Sequence, residues 1–227
     1  HYPYYWYLAS TPYNPSGLFP EASLSNDIGY GKNRALLSWF AVDQSLNTDK
    51  RSTPSNLRGN VEARSNHYTR RVNEREIFPN RDINPMGYST LTLLNLSYYP
   101  SERGPYNLDV EGMNPDGTLA NPAKRWGGIM RKIDYSDFET SNIEYIEFWM
   151  LDPFVYPEKN EKGGDLYFNL GDISEDILKD GKKAFEHGLP IDPANQNFET
   201  TVWGRISTTQ STVVAFDNTA GARAKQD

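Results

Sequence analysis

The stretch NIEYIEFWMLDPF, residues 142–154, constrains the fold more than any other part of the chain. It is the densest apolar run present, yet it falls short of the ~18 apolar residues a membrane-spanning helix needs. Ile143, Tyr145, Ile146, Phe148 and Trp149 are β-branched or aromatic, which suits a pleated strand. Pro153 has no N–H to give to a ladder and ends it. The expectation is a central core strand over 142–151, a spine rather than a site. Glu144 and Glu147 lie three residues apart, so on a strand they point to opposite faces and cannot flank one glycosidic bond. Other carboxylate pairings, such as Glu139 with Asp165, stay open.

The rest of the composition agrees with a β-rich chain. With 227 residues there is room for one large or two small domains and a substantial core. Fifteen tyrosines and five tryptophans beside 17 glycines and 15 prolines point away from helical bundles and toward aromatic strands joined by turns. A net charge of −7 argues against nucleic-acid binding, which needs clustered Lys and Arg. The nearest cluster, Lys179, Lys182 and Lys183, fits a solvated helix end. Cysteine is absent, which removes disulfides, thiol catalysis and Cys-type zinc sites. The chain opens at His1 without a methionine and stops in a charged run, and we expect it to be a piece of something longer.

Along the chain, residues 1–60 form an irregular, Tyr-rich start and connecting segment. Residues 18–27 suggest a turn and a capped segment, and 34–42 a strand or short helix. Residues 62–78 predict a surface helix ended by Pro79. Strands are expected over 90–99, 126–133, 142–151, 165–170, 201–208 and 211–217, with an Asn-Pro-Asp-Gly turn at 114–117. The paired glycines 127 and 128 suggest close backbone approach or a bulge. A helix over 172–184 carries a capping box, Asp172 with Glu175. The fold class that follows is mainly β: an antiparallel, jelly-roll-like β-sandwich over 61–227 with a few peripheral helices.

Chemistry is sparse. His1, His67 and His187 are scattered without metal-ligand spacing, so no histidine metal site is expected. Asp172, Glu175, Asp176 and Asp180 fail the EF-hand spacing and suit a helix N-terminus, although calcium at a sandwich edge stays open. No nucleophile elbow or phosphate loop is present. Residues alone therefore predict no catalytic, cofactor-binding or metal residues, and no particular ligand-binding residue. Trp126, Trp149, Tyr167 and Trp203 lie on expected strands, where exposed rings could stack on sugars. Core burial is the alternative for them.

Seven ordered segments carry a more specific resemblance. They are LFPEASLSNDIGYGKNRALLSW (18–39), SNHYTRRVNEREIFPNRDI (65–83), SYYPSERGPYN (97–107), WGGIMRKI (126–133), NIEYIEFWMLDPF (142–154), GDLYFNLGDISEDILKDGKKAFEHGLP (164–190) and TTVWGRISTTQSTVVAFDN (200–218). Together they resemble an internal region of the SprA/Sov family of outer-membrane translocon and gliding-motility proteins, which serve the type 9 secretion system of Bacteroidetes. The resemblance implies a soluble, non-catalytic insertion in a giant single-chain β-barrel that exports folded proteins, with no cofactor. It implies as partners the rest of the barrel, other secretion components including a small outer-membrane barrel protein, and secreted cargo. It also implies an outer-membrane-associated position facing the exterior or the periplasm. A carbohydrate-binding module of a cell-surface protein is the competing expectation.

Overall fold

The computed structural model describes residues 2–13, 17–24, 28–82, 90–107, 109, 111–133, 140, 142–156, 163–171, 177, 198–201 and 204–207. Six short strands are described: β1 (Tyr7–Leu8), β2 (Ala35–Phe40), β3 (Asn95–Arg103), β4 (Ile129–Met130), β5 (Phe198–Thr201) and β6 (Gly204–Ser207). They pair as β1 with β4, β2 with β3 and β5 with β6, giving three two-stranded sheets among the described residues. The two described α-helices, α1 (Val61–Arg64) and α2 (Glu74–Ile77), are single turns, and the remaining helical turns are 3-10. Among these residues no helix is long and apolar enough to cross a membrane. Two compact units form: His1–Tyr5, Trp39–Asn95 and Lys132–Tyr167 in one, Trp6–Ser38, Leu96–Arg131 and Phe168–Asp227 in the other.

The first unit is built from capped turns. Asp43 accepts from the Ser45 N–H at 2.7 Å to start a 3-10 turn, and Asn60 accepts from Ala63 N–H to start α1. The buried Thr53 hydroxyl accepts from Lys50 N–H at 3.0 Å. Arg58 donates to the carbonyls of Arg51 and Thr53, and Arg64 pairs with Asp49 at 3.0 Å. The helix expected over 62–78 is broken into three pieces, and the asparagines explain why. Asn66 accepts from Tyr68 N–H, which offers the backbone a turn in place of helix continuation. Asn73 N–H then donates to the Glu76 carboxylate at 2.9 Å and nucleates α2 as a fresh start.

The second unit holds β1, β4 and the Asn114 turn. Tyr7 stands opposite Met130 and Leu8 opposite Ile129, and Ala9 N–H extends the ladder to Gly128 O at 3.1 Å. The close approach expected at the paired glycines is present: a Cβ on Gly127 would lie 2.8 Å from the Leu37 Cβ. The turn at 114–117 also forms, with Gly117 N–H donating to Asn114 O at 3.0 Å. It places Leu119, 1% exposed, inside the unit.

Strand expectations shift in several places. Of residues 34–42, Ala35–Phe40 is strand, which resolves the strand-or-helix ambiguity. Of 126–133 only Ile129–Met130 is laddered, while Trp126 makes a parallel bridge to Arg34. The strand expected to begin at Thr90 begins at Asn95, because Thr90 bridges Asn73 and Leu91 N–H is taken by Val72 O. Pro100 sits inside β3, a position tolerated in a two-stranded sheet whose outer edge needs no donor. The closing strand expected at 201–208 is realised as β6, paired antiparallel to β5 from Phe198↔Ser207 to Thr201↔Gly204. Residues 211–217, and the helix expected over 172–184 apart from Ile177, lie outside the described residues.

The largest correction concerns the opening stretch. Among the described residues, 143–152 and 163–170 carry no ladder; in the spine expected at 142–151 Ile143 is half-buried, and the large apolar side chains of 145–151 are exposed, from 36% at Leu151 to 76% at Tyr145. A strand apolar on both faces is stable only when both faces and both edges are covered. The described residues supply no such neighbours.

Candidate functional site

Two places concentrate unusual side chains, one in each unit. In the first unit the segment 142–156 is pinned at its C-terminal end. The Tyr68 hydroxyl donates to Pro153 O at 3.0 Å, and His67 Nε2 lies 3.3 Å from Asp152 O. The rings of His67, Tyr68 and Tyr156 meet edge to face at 5.5 to 6.1 Å between centroids. Asp152 accepts from Phe154 N–H at 2.8 Å, closing an Asx turn at the proline. Upstream of this anchor, Tyr145, Ile146, Phe148, Trp149 and Met150 are all more than half exposed. The charges on 142–156 are Glu144, Glu147 and Asp152, without a Lys or Arg among them.

A shallow pocket of about 100 Å³ in the same unit is lined by Asn47, Thr69, Arg70, Thr90, Leu93 and Asn95, among others. Its Arg70 is committed to Glu76 at 2.9 Å. That ion pair, after the Asn73 N–H bond, holds the Glu76 carboxyl below its ordinary value. The lining includes no carboxylate, histidine or cysteine, so no acid–base pair or metal ligand faces the space.

In the second unit the feature is a polar knot around Arg34. Arg34 and Glu21 are 1% and 2% exposed. The Arg34 guanidinium stacks over the Trp126 ring, Cζ 4.6 Å from its centroid, and donates through Nη1 to Ala9 O. Trp126 Nε1–H donates to Glu21 Oε1 at 2.9 Å, and Phe19 packs edge-on against the same indole at 5.6 Å. The Arg34 carbonyl accepts from Asn107 Nδ2 and from Gly104 N–H. Burial pushes the Arg34 guanidinium down to about 10, against the attraction of Tyr30, Tyr106 and Glu21. Beside it, Tyr30 and Thr11 exchange two hydrogen bonds, each 3.0 Å. Arg125 is the second internal cation: it donates to the carbonyls of Ala120, Lys32 and Gly112 and pairs with Asp109 at 3.5 Å. Tyr98 OH donates to Arg125 O, and burial raises its pKa despite the nearby guanidinium.

The residues singled out by sequence fall as follows. Glu144 and Glu147 are both exposed, and Glu139, its suggested alternative partner for Asp165, lies outside the described residues. His67 is held by a backbone carbonyl and two rings, while His1 and His187 lie outside the described residues. No group of three or more metal-capable side chains occurs among the described residues; of the acidic helix set, 172, 175, 176 and 180 all fall outside them. The lysines 179, 182 and 183 fall outside as well. Of the aromatic candidates, Trp149 and Tyr167 are 73% and 52% exposed, Trp126 is occupied by Arg34 and Phe19, and Trp203 is not described. Sequence reasoning passed over Arg34 and Glu21. Their one signal is a charged residue set against an apolar run, in FPEA and in NRALL.

No protein-family model matches the chain, and no curated protein matches it.

Proposed function

We propose that this chain is a non-catalytic domain of a giant outer-membrane β-barrel translocon of the type 9 secretion system, lying outside the barrel wall. The ordered segments that resemble the SprA/Sov family support this reading. The observation that carries it is the exposed apolar segment 144–151, pinned at its C-terminal end, together with the exposed residues 163–170. Surfaces of this kind mark sites that a larger assembly covers. On this reading both segments take ladder positions in a jelly-roll-like sandwich completed within the parent protein. Its partners are the remaining barrel, other secretion components including a small outer-membrane barrel, and exported cargo. It takes no cofactor, binds no nucleic acid, and faces the exterior or the periplasm.

An antibody against this chain, used on fractionated source cells, tests the proposal. A very large outer-membrane species is expected. A free soluble species near 25.9 kDa would overturn it.

Exposure of Trp149 and Tyr167 favours one other reading, a carbohydrate-binding module, since free ring faces stack on sugars. Tryptophan fluorescence titrated with cell-surface polysaccharides separates the two. A saturable shift abolished by Trp149→Ala supports the module, and a flat response across glycans removes it.

A further inference from the structure

Four buried polar atoms in the second unit have no hydrogen-bond partner among the described residues: Trp6 Nε1, Arg34 Nε, Arg34 Nη2 and Glu21 Oε2. Three are donors and one is an acceptor, and the Arg34 and Glu21 atoms belong to residues of opposite charge. Both residues grip one indole, Glu21 at its Nε1–H edge and Arg34 over its face. Leaving a guanidinium in a protein interior without a compensating charge costs several kcal/mol, so a stable unit must compensate it. Two other charged groups of the neighbourhood are already committed, Arg125 with Asp109 and three carbonyls. Among the described residues, Glu21 is the one carboxylate bonded to Trp126, on which Arg34 stacks.

We infer that Glu21 is the counterion of Arg34 and that one internal water bridges Glu21 Oε2 to the free Arg34 donors beside Trp126. A water suits the site chemically: it accepts from the guanidinium and donates to the carboxylate, and two to four such partners hold a buried water in place. The cluster joins five stretches of chain. Arg34 Nη1 holds Ala9, its carbonyl holds Gly104 and Asn107, and Glu21 reaches Trp126. The cluster is thus a charged core in place of an apolar one, and it fixes which segments meet.

The test uses the unmodified 227-residue chain and a double-mutant cycle. Water-to-protein cross-relaxation spectra are expected to show a long-lived water beside Trp126 Nε1–H and Arg34 Nε–H. Absence of that signal overturns the bridge. Glu21→Gln and Arg34→Met are each expected to lower the urea midpoint, and the double variant to lose about tenfold less in folding constant than the product of the single losses. Strictly multiplicative losses would overturn the counterion assignment. If a single variant does not fold, the spectrum of the unmodified chain still decides the bridge.

Discussion

The Arg34 knot and the 143–151 segment solve opposite problems with the wrong-looking residues. In the second unit charged side chains are inside: Arg34 and Glu21, with Leu119, are among the most buried large side chains of the described residues. In the first unit, tyrosine, phenylalanine, tryptophan and methionine of 145–150 stand in solvent. A buried charge is tolerated only with partners, and Arg34 has a carbonyl, a ring and a nearby carboxylate within the chain. Exposed apolar side chains in this number are tolerated only until a neighbour covers them. On the proposed function, the contrast separates a part of the molecule that closes on itself from a part that a larger assembly covers.

Substitutions sharpen that contrast, the largest effects falling in the knot. Arg34→Met leaves Glu21 buried without its cation, and loss of about 3–5 kcal/mol of stability is expected from chemical denaturation. Gly104→Ala would put a Cβ 2.3 Å from the Ala35 carbonyl oxygen. Because backbone must move, a cost of about 1–3 kcal/mol is expected in the same assay. In the first unit Tyr68→Phe removes the hydroxyl bond to Pro153 and should cost about 0.5–1.5 kcal/mol. It should also speed amide exchange of residues 152–156. Trp149→Ser should change the stability of the chain alone by no more than about 0.5 kcal/mol, since the ring buries little. It should nevertheless reduce binding of a hydrophobic dye. A large stability loss from Trp149→Ser would break the contrast outright.

The smallest effect is a pH response at the caps. The Ser45 N–H holds the Asp43 carboxyl below its ordinary value, and the Asn73 N–H together with Arg70 does the same for Glu76. Each carboxyl is more acidic folded than unfolded, so its stabilisation is present above the ordinary carboxylate pKa. It is lost as pH falls through the lower folded value. The amide resonances of Ser45 and Asn73 should therefore titrate at lower pH than free carboxylates do, with little change between neutral pH and that range.

What sequence could reveal follows from how local the cause is. The turn at 114–117 and the close approach at Gly127 were legible because turn chemistry and the absence of a Cβ act within a few residues. The helix expected over 62–78 is interrupted because its apolar spacing is sparse and the asparagines at 66 and 73 restart the backbone. The strand expected over 142–151 carries no ladder among the described residues, because pairing is a long-range property that no window of sequence holds. The knot was illegible for the same reason: Glu21 and Trp126 are 105 positions apart, and only the fold brings them to 2.9 Å.

On the proposed function, amide hydrogen exchange over residues 143–151 differs between the isolated chain and outer membranes of the source cells. Rapid exchange in isolation and strong protection in the membrane-derived protein are the predicted result. Equally rapid exchange in both would contradict the claim that a larger assembly covers this segment.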